Sequence, residues 1–161
     1  MPLARVATIG VYGFDAERFF QAVLDSATDL FCDIRARRGV RGREYAFANA
    51  RRLERRLVEL GVAYRHFPAL APTHEIRALQ RAADSSTGIA KRGRSGLSPV
   101  FIEAYARRLD EPEARSALAE IRTTSSIPLL LCVERSPTAC HRSLVADRLA
   151  EGVVTIGHVI P

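Results

Sequence analysis

The densest run of chemistry-bearing residues is "CVERSPTACHRS" (132–143). The apolar run "IPLLLCVE" (127–134) carries Cys132 and ends in the carboxylate Glu134. A Ser-Pro step follows, and Cys140, His141 and Arg142 then open what reads as a helix. Ser136 is a good N-cap and Pro137 suits the first helical position, where its missing N–H costs nothing. That would set Cys140, His141 and Arg142 near free backbone N–H groups and the positive end of the helix dipole. Four chemistries fit. The helix start and the Arg142 fork suit an anion. Cys140 suits a nucleophile whose thiol is acidified by the helix terminus and by His141 or Arg142. Cys132, Cys140 and His141 suit zinc if His66, His158 or Cys32 completes the set. Packing is the fourth, with the cysteines as small hydrophobes. The anion cradle asks least of the sequence and is the reading adopted. A Cys-x5-Arg phosphatase signature is absent, since Thr138 and Ala146 stand six residues after the two cysteines. Without a tight Cys-x-x-Cys pair, no metal is assigned and no cofactor is implied.

A second group lies upstream. Asp33 and Arg35 in "DLFCDIR" (29–35) share a face if that run is a strand. They lead into "ARRGVRGREYAF", where Gly39 and Gly42 separate Arg38 and Arg41 in what resembles a phosphate-gripping loop without Walker chemistry. Catalytic candidates are therefore Cys140, His141, Glu134 and Asp33. Ligand-binding candidates are Arg35, Arg142, Arg135, Arg38, Arg41, Gly10 and Ser143. His66 reads as a packing residue, and His158 has no discernible partner.

The elements that must position these residues alternate between two hydrophobic periods. "RVATIGVY" (5–12), "DLFCDIR", "VAYRHFP" (62–68), "IPLLLCVE" and "VVTIGHVIP" (153–161) read as strands. "DAERFFQAVLDS" (15–26) reads as a helix capped by Asp15, and "NARRLERRLVELG" (49–61) as one closed by Gly61. On "SPTACHRSLVADRLAEG", His141 shares the stripe of Leu144, Val145 and Leu149, and Cys140 is at least partly buried. The middle, about 70–126, reads as a helical insertion between the third and fourth strands. Its Ser-, Gly- and Arg-rich stretch at 85–98 reads as a mobile loop able to act as a lid.

Such alternation with near-continuous apolar strands predicts a single α/β domain over 1–161: a Rossmann-like three-layer sandwich around a parallel sheet. Ligands of such sheets bind beyond the carboxyl ends of the strands, where Asp33, Glu134 and the arginines converge. Apolar residues make up 47% and charged residues 26% of the 161, as in a globular protein. No run is long enough to span a bilayer and no secretory h-region is evident, so the expected setting is cytoplasmic, away from membranes, with Cys32, Cys132 and Cys140 reduced. Lysine plus arginine number 24 against 18 acids, and Lys91 is the one lysine, leaving 23 arginines. Ten of them lie from Arg35 to Arg65, beside three acids. That balance favours an anionic partner, either a small or nucleotide ligand or nucleic acid.

"TIG" (8–10), "CDIR" (32–35) with its arginine loop, "LGVAYRHFPAL" (60–70) and "LLCVERSPTACHRSLVADRL" (130–149) together resemble the bacterial and archaeal family catalogued as domain of unknown function 488. The resemblance implies a compact α/β domain, and its motif residues fall on Asp33, Arg35, Cys132, Glu134, Cys140, His141 and Arg142. The chain departs from the family pattern at Val11, where a histidine is usual, and at "PALAP" (68–72), where a glycine pair is usual. The expectation is a phosphate-bearing or other anionic ligand held in an arginine-rich pocket. Alternatives are a nucleic-acid accessory protein and a rhodanese-like cysteine enzyme. Neither catalysis nor oligomeric state is assigned.

Overall fold

The computed structural model describes residues 2–89 and 94–161. Its elements are β1 (Arg5–Ile9), α1 (Ala16–Asp25), β2 (Leu30–Asp33), α2 (Ala50–Glu59), β3 (Tyr64–His66), α3 (His74–Thr87), α4 (Pro99–Leu109), α5 (Pro112–Thr124), β4 (Pro128–Leu131), α6 (His141–Ala150) and β5 (Thr155–Val159). The strands form one parallel sheet in the order β3-β2-β4-β1-β5. The α/β parallel-sheet class expected from the alternation is therefore present.

Burial on both faces explains the unbroken apolar strands. Leu130 of β4 faces one core with Val6, Leu30 and Cys32, while Leu129 and Leu131 face the other with Ile9 and Phe31. The first core is covered by α3 to α6, through residues such as Phe101, Tyr105, Ile121 and Val145. The second is covered by α1 and α2, through Phe19, Phe20, Leu53 and Leu57. The helices read as an insertion thus supply most of one covering layer. The second helical stretch divides at Asp110–Glu111, where Pro112 starts α5. α3 runs on to Thr87 and closes on the left-handed Gly88, inside the expected 85–98 loop. Positions 90–93 of that loop lie outside the described residues.

The connections explain where a site can form. From β1 to β2 to β3 the chain steps one way along the sheet, with α1 and α2 on one face. From β3 to β4 to β5 it steps the other way, with α3 to α6 on the opposite face. This is the arrangement a constant crossover hand demands. The direction reverses between the adjacent β1 and β4, so a crevice opens above their carboxyl ends.

At the opposite end, Asp29 sets the start of β4. Its carboxylate accepts from the Ser125 hydroxyl, from Ser126 N at 2.7 Å and from Ile127 N at 3.1 Å. Burial opposes the charge, but these hydrogen bonds outweigh it and hold the carboxyl below its ordinary value. A depressed carboxyl stabilises the fold above its unfolded pKa and loses that contribution as pH falls through the folded one. Asp29→Ala should cost about 1 kcal/mol at pH 7, a modest figure because the carboxylate is solvent-exposed. Urea unfolding should show the difference from wild type narrowing below about pH 3.9.

Candidate functional site

Beyond β4 the chain keeps to the sheet for two more residues. Cys132 N donates to Ile9 O at 3.2 Å, and Val133 O accepts from Val11 N and Tyr12 N. The helix expected from Ser136 does not start there. A 3-10 turn, Pro137–Ala139, closes through Ala139 N to Ser136 O and Cys140 N to Pro137 O. Cys140 is then extended, with φ −135° and ψ 144°, and serves as the N-cap of α6. The i→i+3 bonds over-tighten the segment, and one extended residue re-aims it before the helix proper begins. The helix starts one turn later than Ser136 capping would place it, so His141 and Arg142 occupy its first two positions and not its fifth and sixth.

Arg142 is fully buried and lies under this loop. Its guanidinium donates to the carbonyls of Glu134 and Arg135, the latter at 3.1 Å, and its Nε to Thr8 Oγ1 at 3.3 Å. Thr8 Oγ1 also meets His158 Nδ1 at 2.7 Å, which gives that histidine its partner. Gly10 allows the close approach: a Cβ there would sit 2.0 Å from Glu134 O. Gly10 and Arg142 thus build the loop and do not line the cavity. The anion role expected for Arg142 is not the role its surroundings show, because backbone carbonyls occupy its fork.

Cys132, Cys140 and His141 are all buried, and one donor atom from each lies within 4.8 Å of the others. Cys132 Sγ is 3.6 Å from His141 Nδ1, and His141 Nε2 is 3.2 Å from Ile34 O. A carbonyl only accepts, so Nε2 carries a hydrogen, and Nδ1 is the ring atom turned to the Cys132 sulfur. The fully buried Tyr105 stands edge-on to the ring at 5.5 Å. Burial pushes the Cys140 thiol up, but hydrogen bonds with Cys132 and His141, with the charges of His141 and Arg142, leave it well below its ordinary value. The Cys132 thiol is driven well above its own by its hydrogen bond to Cys140 and by burial. His66, His158 and Cys32 are not in the cluster: His66 Nε2 meets Arg35 O at 2.7 Å, and Cys32 Sγ lies 3.7 Å from Leu30 O.

Asp33 is also occupied. Arg35 grips it with Nε to Oδ1 at 2.8 Å and Nη2 to Oδ2 at 2.7 Å, and donates from Nη1 to Ala48 O. The Tyr64 hydroxyl donates to Asp33 Oδ2 at 2.8 Å; Arg38 bonds Tyr64 and pairs with Glu54. Asp33 is fully buried outside the cavity wall. It positions Arg35 there.

The cavity these elements enclose, about 490 Å³, lies where the strand order reverses. Cys132, Cys140, His141 and Glu134 line it, as do Arg35 and Arg41 among the expected ligand residues. Arg38, Arg135 and Ser143 do not; the Ser143 hydroxyl donates to Cys140 O at 3.0 Å. Sequence reasoning missed Arg37, Arg77, Arg81 and Arg94, which bring the arginines around the space to six among the described residues, and Tyr12 and Gln80 beside them. The available signal was Arg77 and Arg81 at i, i+4 around the buried Gln80 on α3, which puts two cations on one helix edge. Among the described residues no carboxylate pairs with Arg37, Arg41, Arg77 or Arg81. Arg94 is held by Asp84 at 2.8 Å.

Fold and site together define a parallel α/β domain with a cationic cavity at the switch point of its sheet and a thiol–imidazole cluster in the wall. The chain belongs to the family described as domain of unknown function DUF488, whose model matches residues 15–149. Comparison with curated proteins and with solved structures finds no match.

The loop architecture makes Arg142 a stability residue. Arg142→Ala should lower unfolding free energy by roughly 2–4 kcal/mol, because it leaves buried carbonyls without donors. Arg142→Lys should recover little, since an ammonium cannot span three acceptors in the plane of a fork. Urea melts of both variants, with m-values unchanged, are the check.

Proposed function

We propose that this protein binds a small phosphate-bearing anion, of nucleotide size or less, in the cavity at the carboxyl ends of β1, β2 and β4. The observation that carries the reading is that, among the described residues, six arginines and a single carboxylate, Glu134, line one space. Four of the six have no acidic partner among the described residues, so their charge is not neutralised by a carboxylate there. Guanidinium forks match phosphate oxygens two at a time. The volume of about 490 Å³ suits a small ligand, and Phe101, Leu97 and Val40 offer an apolar wall for its uncharged part. Arg35, fixed by Asp33, is the rigid member of the set, while Arg77 and Arg81 approach from α3.

Thermal unfolding with phosphate, sulfate, mononucleotides and single-stranded oligonucleotides, at two salt concentrations, tests this. A ligand at about 100 times its Kd should raise Tm by roughly 5–10 °C in a domain of this size. The Arg77→Ala/Arg81→Ala pair should lose most of that rise while keeping the ligand-free Tm. Stabilisation by oligonucleotides alone, steeply weakened by salt and abolished by charge reversal at Arg51, Arg52 and Arg55, would move function to the exposed face of α2.

A second reading, a rhodanese-like cysteine enzyme, is favoured by the place of Cys140 at the head of α6 against this cavity. It requires a small haloacetamide to alkylate Cys140 faster than free cysteine at pH 7, with Cys32 unreactive. A slower rate removes it.

A further inference from the structure

We propose that Cys132, Cys140 and His141 bind one transition-metal dication of the zinc class, with the remaining coordination position open to the arginine-lined cavity. The inference goes beyond anion binding and does not rest on it. Two sulfurs and a nitrogen form a soft donor set suited to zinc. A tetrahedral zinc with bonds of 2.3 Å to sulfur and about 2.05 Å to nitrogen sets neighbouring ligands about 3.6 Å apart. Cys132 Sγ and His141 Nδ1 are already 3.6 Å apart, and the whole donor set lies inside 4.8 Å.

The imidazole is oriented for this task. Its Nε2–H is engaged by Ile34 O and its ring is held by Tyr105, so Nδ1 is the atom presented to the sulfur of Cys132. A ligating histidine whose far N–H is fixed by a carbonyl is the usual second layer of a metal centre. Each sulfur arrives from a rigid element. Cys132 extends the β4 ladder onto Ile9, and Cys140 is locked between the 3-10 turn and α6. A nucleophilic cysteine needs one thiol; here two buried thiols share one imidazole.

No other histidine, cysteine or carboxylate among the described residues joins the set. All three ligands border the cavity that the arginines line, so a fourth ligand to the metal could reach it from there. Three protein ligands with one position open is the arrangement of reactive zinc sites, whereas structural sites are closed by four. Both sulfurs bind as thiolates, so any thiol protons pass to solvent. The two thiolates and the neutral imidazole then balance the dication, and an oxygen of water or of a bound anion is the chemical class the open position accepts.

The test uses the full chain, reduced, stripped with a chelator and kept in phosphate-free buffer. Titration with Co²⁺ should reach one equivalent, with thiolate-to-cobalt charge transfer in the near ultraviolet and strong tetrahedral bands in the visible. Equimolar Zn²⁺ should bleach both. Cys132→Ser and Cys140→Ser should each weaken binding at least about 100-fold and reduce the charge-transfer band, while Cys32→Ser leaves it unchanged. Far-ultraviolet circular dichroism checks that the variants fold. If either does not, Zn²⁺ protection of Cys132 and Cys140 against alkylation in the wild type, mapped by mass spectrometry, takes its place. Weak octahedral spectra, or a charge-transfer band that survives loss of both cysteines, would overturn the proposal. So would alkylation of Cys140 undiminished by Zn²⁺. None of these outcomes touches the Arg77/Arg81 thermal-shift result, so the two readings fail separately.

Discussion

The buried guanidinium of Arg142 is the interaction on which the site depends. It reaches back from the second residue of α6 to the carbonyls of Glu134 and Arg135 and to Thr8 on β1. Those carbonyls belong to a loop that has left the sheet and has no ladder partners there. Without a donor they would be stranded in the interior at a cost of kilocalories. One side chain therefore ties β1 to the loop after β4 and anchors α6 to both. Gly10 is the complement, since the carbonyl of Glu134 occupies the space a Cβ would need.

A similar logic governs Asp33. A buried ion pair is often no more stabilising than apolar residues of the same shape, but removing one partner alone is expensive. Asp33 holds Arg35 through both oxygens and Tyr64 through one, and Arg38 and Glu54 extend the network outward. Its effect is geometric: an arginine at the cavity wall keeps one orientation where a solvent-exposed one would sample many. The wall thus combines a cation fixed by an ion pair, Arg35, with more exposed cations on α3 and on the loop after β2 that no carboxylate among the described residues holds.

Much of the framework could be read from the sequence because burial on two faces has few chemical solutions. "PLLL" is apolar at every position, as a central parallel strand must be, and it occupies the middle of the sheet. The Asp15 cap and the Gly61 terminus followed from local hydrogen bonding and left-handed backbone, and both are present. The start of α6 was not legible, because Ser-Pro suits a 3-10 turn as well as an α-helix. The destination of Arg142 was hidden for a different reason: its acceptors are backbone carbonyls, which every sequence contains. Arg77 and Arg81 were overlooked because an arginine on a polar helix edge looks alike whether it faces bulk water or a cavity. Cys132, Cys140 and His141 could be named together, yet their convergence on one point required the extended backbone of Cys140, which no residue type announces.

The strand order carries a consequence for assembly. β4 lies between β1 and β2, yet it follows β2 by almost a hundred residues. A nascent chain cannot join its first two strands to each other; they must wait for Pro128–Leu131 to be threaded between them. The central pairings are of long sequence separation, which slows folding and leaves strand edges uncovered in the interim. Because the same late segment brings Cys132, Glu134 and the head of α6, the cavity has no precursor in a partly made chain. Sheet and site are thus completed by the same segment.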